Sequence, residues 1–234
     1  MPEVTGRSKR DVDDYYATTT DLARLICRTV KRDVGPSTPD RILEPGCGAG
    51  TFLEAIRETW PKAELHGIEI RPELGLYART NGFDVTVADV LDAELAQYDL
   101  IIGNPPFKHA DAFIPLLMRH LEPGGVLAFI LRLNYLAGAA RYAELWSKHG
   151  PARIYPLPKR PGFTRNGHTD ATDYMVCVWV DGHRGPAVLA HMDNRRTVNR
   201  WATESFPDPR KTSQGRLDAD AFNSPRVHPS LSSQ

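Results

Sequence analysis

Cysteine is scarce in this sequence, with three residues among 234. Cys27, Cys47 and Cys177 are far apart and form neither a Cys-x-x-Cys pair nor the dense pattern of a disulfide-stapled domain. Long apolar runs are also missing: the run at positions 126–131 is about a third of the length that spans a bilayer, and no run exceeds seven residues. The start of the chain lacks the apolar stretch typical of a signal peptide. These absences favour a reduced, cytoplasmic protein.

An excess of charge of either sign is also missing. The 29 Lys and Arg residues equal the 29 Asp and Glu residues, and the pI is about 7.1. This balance excludes a protein that coats nucleic acid or membranes through bulk positive charge, so any contact with nucleic acid has to be local. A hydrophobic content of 41% and a charged content of 25% are typical of a folded globular chain.

Several catalytic motifs are absent as well. The eight histidines contain no His-x-x-x-His pair, and the sequence has neither a Gly-x-Ser-x-Gly nucleophile turn nor a Gly-x-x-x-x-Gly-Lys phosphate loop. Metal-dependent hydrolysis, serine hydrolysis and P-loop chemistry therefore have no support, and no metal is expected.

Short apolar runs alternate with amphipathic segments, an order typical of a parallel, doubly wound α/β sheet. Two later strands joined by a long loop are expected to form an antiparallel pair at the sheet edge. We expect a flexible N-terminus (1–14), one α/β domain (15–181), one helix within 182–206 and a largely disordered tail (207–234). Strands are predicted at positions 41–44, 64–70, 83–88, 98–103, 125–131, 153–157 and 174–180, and helices at 20–33, 51–59, 72–81, 111–121 and 138–149.

A Gly-x-Gly-x-Gly turn, Gly46 to Gly50, lies between the first predicted strand and the next helix. Glycines in such a turn let the backbone approach a ligand and leave amide donors at the helix N-terminus. Glu69 ends the second predicted strand about 20 residues later, where a carboxylate can accept both hydrogen bonds from a ribose diol. Asp89, at the end of the third, suits the amino group of an adenine ring. The three strand ends together predict a pocket for an adenosine-containing ligand, whereas the turn alone would equally fit a tight loop.

This stretch resembles the class I S-adenosylmethionine-dependent methyltransferases more than the NAD-binding proteins, because Glu44-Pro45 precedes a Gly-x-Gly-x-Gly spacing. The resemblance implies a Rossmann-like, mostly parallel sheet with an antiparallel final strand pair, and S-adenosylmethionine as the cofactor. It places the cofactor's methionine part along the glycine turn, its ribose at the second strand and its adenine at the third. The residues it assigns to the cofactor are Glu44, Gly46, Gly48, Gly50, Glu69, Ile70, Asp89 and Val90.

The tetrapeptide Asn104-Pro105-Pro106-Phe107 directly follows the fourth predicted strand. An exocyclic aromatic amine is a poor nucleophile because its lone pair is delocalised into the ring, and it improves when acceptors bind both of its protons. Asn104 Oδ1 and the Pro105 carbonyl are candidate acceptors, held in place by two stiff prolines. Phe107 offers a face on which a planar base can stack. The alternative is a rigid loop that ends a strand.

The tetrapeptide resembles the Asn/Asp/Ser-Pro-Pro-aromatic motif of the N6-adenine methyltransferases, although protein glutamine methyltransferases share a similar motif. The resemblance makes Asn104, Pro105, Pro106 and Phe107 the catalytic turn, with Asn104 also touching the cofactor. Near the start, positions 15–22 resemble the Tyr-x-Thr-Pro-Pro-Glu segment of DNA methyltransferases, which implies that Tyr16 and Thr18 help to hold the methionine carboxylate. Threonines replace its prolines here, and a threonine N-cap of the following helix is compatible with this assignment.

A basic loop separates the last two predicted strands and resembles the end of small adenine methyltransferases carried by bacteriophages, which implies a prokaryotic or phage origin. Lys159 and Arg160 are expected to face phosphates, together with Arg153 and Arg165. Phe163 is expected to hold the extruded base against Phe107; the alternative is a phenylalanine tucked under a surface loop.

These observations predict an adenine-N6 methyltransferase acting on nucleic acid, with DNA preferred to RNA and no membrane partner. The core is expected to end near Val180, which leaves little chain to read a long site, so a short or relaxed target sequence is predicted. Three alternatives stay open: an RNA adenine methyltransferase, a protein glutamine methyltransferase, and a non-catalytic nucleic-acid-binding protein with a vestigial cofactor pocket.

Overall fold

The computed structural model describes residues 17–163 and 171–197. The first helix illustrates why the segments fold as they do: Leu22, Ile26 and Val30 recur at helical spacing and are all buried. The α-helices are α1 (Thr20–Asp33), α2 (Thr51–Thr59), α3 (Pro72–Thr80), α4 (Ala110–Met118) and the three-residue α5 (Ala139–Arg141). The strands are β1 (Arg41–Pro45), β2 (Glu64–Glu69), β3 (Asp84–Val87), β4 (Tyr98–Gly103), β5 (Leu121–Arg132), β6 (Arg153–Pro156), β7 (Tyr174–Val180) and β8 (Val188–Leu189).

The eight strands form one sheet in the order β3-β2-β1-β4-β5-β7-β6-β8. The first five are parallel to one another, whereas β7 is antiparallel to both of its neighbours, β5 and β6. The chain order reverses between β1 and β4, and ligands of open α/β sheets bind in the crevice at such a point, outside the carboxyl ends of the strands. A ligand site is therefore expected at the carboxyl ends of β1, β2 and β4.

Two layers of apolar side chains cover the faces of the sheet. Ile42 and Leu100 point to the face on which α1 and α2 pack, whereas their chain neighbours Leu43 and Ile101 point to the face covered by α4. β5 and β7 supply long fully buried runs to both layers, as expected for central strands with helices on each side. This double covering fixes the strand ends, and with them the turns that follow.

The expected fold class is confirmed: the sheet is doubly wound, mostly parallel, and antiparallel at its end. Two expectations need correction. The helix expected at 138–149 is reduced to α5 followed by a π-helical turn, Tyr142–Trp146. Within 182–206, the described part up to Thr197 contains the short strand β8 instead of a helix.

The remaining terminal expectations, for 1–14, 198–206 and 207–234, lie outside the described residues. Within the described ranges, no helix has both the length and the apolar character needed to cross a membrane.

Candidate cofactor and acceptor site

Three parallel strands place polar side chains at one edge of the sheet. Glu44 is the next-to-last residue of β1, Glu69 is the last residue of β2, and Asn104 directly follows β4. Because β1 pairs with β2 on one side and with β4 on the other, their carboxyl ends lie next to one another. The candidate site therefore lies at the strand-order reversal, where the topology predicts it.

The glycine-rich turn after β1 has a backbone that other residues adopt poorly. Gly46 and Gly50 have φ angles of +82° and +92°, both in the left-handed region. The amides of Gly46 and Cys47 donate to the Ile68 carbonyl at 2.7 and 2.9 Å, which fixes the turn against β2. A side chain at Gly50 would also meet Phe83, since a Cβ there would lie 3.2 Å from that ring. The turn is thus a rigid cradle at the start of α2.

Glu69 links the end of β2 to this turn. Its carboxylate accepts hydrogen bonds from the Gly48 amide at 2.7 Å and the Arg71 amide at 2.8 Å. The side chain is only 3% exposed, and burial raises the pKa of the Glu69 carboxyl while the Arg71 amide and guanidinium act in the opposite direction. In the cofactor-free protein, Glu69 thus organises the glycine turn.

Glu44 is a buried acid with an unused acceptor. Its side chain is 3% exposed, and its Oε2 atom is shielded from solvent without a hydrogen-bond partner in the described part of the chain. β4 makes room for it, because a Cβ on Gly103 would lie 3.3 Å from Glu44 Cγ. Burial raises the pKa of this carboxyl well above its usual range; the Leu53 amide opposes the shift and Glu69 adds to it. A buried, unsatisfied oxygen of this kind is typical of a ligand site.

One cleft collects five of the predicted cofactor residues. Thr18, Glu44, Gly46, Gly48 and Asn104 all line it. The sequence reasoning missed the contribution of Thr51 and Phe52, although both begin the helix that the glycine turn introduces. The other lining residues are Ala17, Cys47 and Ala49.

The predicted adenine and ribose residues lie beside this cleft rather than in its lining. Ile70 and Asp89 are half-buried, and Asp89 Oδ1 accepts a hydrogen bond from the Leu91 amide at 3.0 Å. Val90 is buried in the apolar layer under α4. Asp89 lies two residues beyond β3, which is shorter than expected. Tyr16 lies outside the described residues.

The Asn-Pro-Pro-Phe turn directly follows β4, and its first residue reaches the cleft. Asn104 lines the cleft and its Oδ1 atom is shielded from solvent, whereas Pro105 is buried. The Pro106 carbonyl accepts a hydrogen bond from the His109 amide at 2.9 Å, closing a short 3₁₀ turn that begins at Phe107. The tetrapeptide is therefore held by a strand on one side and a helical turn on the other.

The expected slot for a base between Phe107 and Phe163 is not present. The two rings meet edge to face, with centroids 6.3 Å apart and planes 65° apart, and Phe163 is only 4% exposed in the apolar core. Two stacked faces enclosing a base would have to be parallel. The structure thus favours the alternative in which Phe163 packs beneath the loop.

Two residues that the sequence reasoning passed over complete the surroundings of Phe107. Tyr174, at the start of β7, lies 5.5 Å from the Phe107 ring between centroids. The Arg132 guanidinium, at the end of β5, lies 5.2 Å from the same ring, within cation–π range. Arg132 and Tyr174 are cross-strand partners. Both residues lie at strand ends, and this position could have marked them as site residues. Recognising it requires the β5–β7 pairing, which no local sequence pattern reveals.

The two basic loop residues have different surroundings. Lys159 Nζ donates to the Thr197 carbonyl at 2.6 Å, and its backbone exchanges hydrogen bonds with the Asn194 side chain. Arg160 is exposed and forms a 2.7 Å ion pair with Asp173. Lys159 therefore anchors the segment near Asn194, whereas Arg160 lies at the surface. Arg165 lies outside the described residues.

The fold and the cradle define the class. A doubly wound sheet with a glycine cradle after β1 and buried acids at the ends of β1 and β2 is a class I S-adenosylmethionine-dependent methyltransferase domain. The chain belongs to the methyltransferase-domain family Methyltransf_23, whose profile matches residues 17–165. Across residues 17–163 and 171–197, no three His, Cys, Asp or Glu side chains are grouped to hold a metal ion.

The similar proteins have diverse functions. A trans-aconitate 2-methyltransferase of Streptomyces avermitilis is 34% identical over 213 residues, covering 80% of this chain and 75% of that protein. A type II methyltransferase, M.CvrRI, of a Paramecium bursaria Chlorella virus is 30% identical over 152 residues, covering 56% of this chain and 39% of that enzyme. A solved Listeria monocytogenes structure, described as a class I S-adenosylmethionine-dependent methyltransferase, has a TM-score of 0.63 at 15% identity and covers 82% of this chain and 69% of that one.

Proposed function

We propose that this chain transfers a methyl group from S-adenosylmethionine to the N6 amino group of adenine in nucleic acid, with DNA preferred to RNA. The observation that carries this proposal is the position of Asn104, the first residue of the Asn-Pro-Pro-Phe turn, which directly follows β4 and lines the cleft together with Glu44 and Thr18. The similarity of the chain to a viral type II methyltransferase supports it.

The turn supplies what an aromatic amine needs to react. Asn104 Oδ1 and the Pro105 carbonyl accept hydrogen bonds from the two N–H groups of the amine. These bonds draw the nitrogen lone pair out of the ring and toward the methyl group. Both acceptors are positioned before the substrate binds. Such acceptors stabilise developing charge best because they need not reorganise during the reaction. No strong base is required, since the proton leaves to water after transfer. Phe107 stacks on the adenine and orients it.

The proposal gives each cofactor residue a role. S-adenosylmethionine supplies an electrophilic methyl group on a sulfonium. Glu69 accepts hydrogen bonds from the ribose, Asp89 and the Val90 backbone read the adenine edge, and Ile70 covers its face. Glu44 and Thr18 border the methionine part, and the unpaired, buried Glu44 Oε2 is the observation that favours a polar, positively charged ligand there.

The similarity to the Streptomyces trans-aconitate 2-methyltransferase favours a second candidate function, methyl transfer to a carboxylate oxygen. A carboxyl O-methyltransferase acts on an oxygen that is already a good nucleophile, so it has no use for two acceptors such as Asn104 Oδ1 and the Pro105 carbonyl. Arg132, beside Phe107, would instead bind a carboxylate of the substrate. The Asn-Pro-Pro-Phe turn is the reason to rank the amine first.

The deciding experiment tests all candidate methyl acceptors with the same preparation of the protein. The protein is incubated with methyl-labelled cofactor and, separately, duplex DNA, single-stranded DNA, structured RNA, a glutamine-containing peptide and trans-aconitate, with Asn104→Ala as the control. We expect N6-methyladenine in the nucleosides from DNA, found by mass spectrometry, and none with the variant. Label in the peptide or in trans-aconitate, with none in nucleic acid, would contradict the proposal.

For target selection, we propose methylation in a context of two or three neighbouring bases. Each good base contact discriminates by about 1–3 kcal/mol, and a site of four or more base pairs needs several of them. Single-stranded substrate is favoured because extrusion of the base then costs less. Methylation mapping on a plasmid tests this, and one strict longer motif would contradict it.

A further inference from the structure

Glu44 is the most unusual ionisable group in the described chain. It is almost fully buried, yet only part of its carboxyl group is used: Oε2 is shielded and has no hydrogen-bond partner. An ionised carboxylate in such a position costs several kcal/mol unless a cation or several donors compensate it. The surroundings therefore decide which charge state the free protein contains.

The groups that face Glu44 do not favour a negative charge. α2 contributes the Leu53 amide, a backbone donor to this carboxyl. β2 contributes a second acid, Glu69, and β4 contributes the backbone at Gly103. Among the described residues, no Lys, Arg or His lies within ion-pair distance of Glu44.

Two buried thiols feel the charge of the same carboxyl. Burial raises the pKa of Cys27 and of Cys47, and the negative charge of Glu44 raises each further. Cys47 lines the cleft together with Glu44 and offers it no positive charge. The burial of Glu44 and its unpaired Oε2 agree with the raised pKa of its carboxyl.

The cofactor of this family brings the missing charge. S-adenosylmethionine carries a sulfonium and an ammonium group, and Glu44 lines the cleft together with Asn104, where the transferred methyl group has to arrive. We propose that Glu44 is uncharged in the cofactor-free protein and gives up its proton to solvent when a positively charged group of the cofactor binds beside it. The inference depends on the cofactor and not on the identity of the methyl acceptor.

A specific dependence on pH follows. Glu44 has a higher pKa in the free protein than in the complex. At pH values between these two, binding releases on the order of one proton. Cofactor affinity then rises with pH, by up to about tenfold per pH unit in that window, and levels off above it. An acid that was already charged in the free protein would give a flat profile over the same range.

Isothermal titration calorimetry in buffers of different ionisation enthalpy counts the released protons without any methyl acceptor. The wild type is titrated with S-adenosylmethionine, with S-adenosylhomocysteine, which keeps the ammonium but lacks the sulfonium charge, and with 5′-methylthioadenosine, which has neither. Release with the first two ligands identifies the ammonium as the partner, and release with the first alone identifies the sulfonium. Methylthioadenosine is expected to release none.

Variants assign the proton to its residue. Glu44→Gln copies the uncharged acid, so it is expected to fold, to release no proton and to bind with a flat pH profile. Glu54→Gln, in the first turn of α2 and outside the cleft lining, is the control and should release protons like the wild type. Glu69→Gln should also keep the release, even where its affinity falls.

Three results would overturn the inference: no proton release by the wild type between pH 6 and 9, unchanged release in Glu44→Gln, or release that disappears in Glu69→Gln alone. A Glu44→Gln protein that binds too weakly to titrate leaves the wild type and Glu69→Gln to decide. Because no acceptor is present, a failure here is separate from a failure to methylate adenine.

Discussion

The Gly48 amide donates a 2.7 Å hydrogen bond to Glu69 Oε2, and this bond ties the cofactor turn after β1 to the end of β2. The other oxygen of the same carboxylate accepts from the Arg71 amide at 2.8 Å. A single buried side chain thus holds the backbone on both sides of the expected ribose position. Its replacement should affect the shape of the cradle as well as the contact with the ligand.

We expect Glu69→Ala to weaken S-adenosylmethionine binding by roughly 1.5–3 kcal/mol, because charged acceptors for the ribose are lost and the turn loses its support. This corresponds to an increase in Kd of about 10- to 150-fold. Calorimetric titration measures it. Glu64→Gln, at the exposed first position of the same strand, is the control and should bind normally. Equal affinity in Glu69→Ala would show that the ribose lies elsewhere.

The acceptor turn makes a separate prediction. Asn104→Ala should lower kcat by about 10²–10³, the usual effect of removing one preorganised polar group from a reacting centre. Cofactor affinity should stay within a few-fold, since the turn binds the acceptor more than the cofactor. Single-turnover kinetics with labelled cofactor measure the rate, and Asn81→Ala, at the exposed end of α3, serves as control. Near-normal turnover would make the turn purely structural.

The parallel half of the fold could be predicted from the sequence because its signals are local. α1, α2 and β4 have the expected bounds, and the antiparallel strand β7 matches as well. Leu22, Ile26 and Val30 mark the buried face of α1 by spacing alone. Glu44, Gly46 and Asn104 could be placed in one cleft because the ends of parallel strands meet at one edge.

The rest depends on contacts between distant parts of the chain. The burial of Phe163 follows from its packing on Tyr174, with centroids 4.9 Å apart, after a loop whose path no periodicity specifies. Lys159 was expected to bind phosphate, but its contact with Thr197 depends on how a later segment returns to the sheet. The helix expected after position 138 is cut short by a π-helical turn, where Trp146 stacks on Trp179 of β7. Tertiary packing decided each of these outcomes.

The positions of the two phenylalanines predict different roles. Phe163→Ala should lower the free energy of unfolding by about 3–5 kcal/mol, because it leaves a cavity in the core. Phe107→Leu keeps an apolar side chain at a half-buried position, so it should change stability little but weaken productive base binding by roughly 1–3 kcal/mol. Urea denaturation and the KM for DNA separate the two. A stable Phe163→Ala protein with a raised KM would restore the base-stacking role.

The adjacent basic residues Lys159 and Arg160 are expected to contribute differently to DNA binding. The Arg160 ion pair with Asp173 is solvent-exposed and contributes little to stability, and we expect the guanidinium to contact phosphate when DNA binds. Arg160→Gln should weaken binding of all DNA sequences alike and reduce the slope of log affinity against log salt by roughly 1. Lys159→Met should leave that slope unchanged, because its ammonium is bound to the Thr197 carbonyl. Fluorescence anisotropy at several salt concentrations measures both, and the reverse order of effects would contradict the assignment.

The buried Glu44 makes a prediction for the protein without cofactor. Its pKa is raised in the folded state by burial, so the folded chain binds this proton more tightly than the unfolded chain does. The stability contributed by the proton is therefore complete below the ordinary glutamate pKa and is lost as pH rises through the folded-state value. Glu44→Gln carries no such proton. We expect the melting temperature of the wild type to fall relative to Glu44→Gln by about 3–5 °C per pH unit inside that window. Differential scanning fluorimetry from pH 5 to pH 9 measures the difference, and a constant offset between the two proteins would mean that Glu44 is charged at every pH tested.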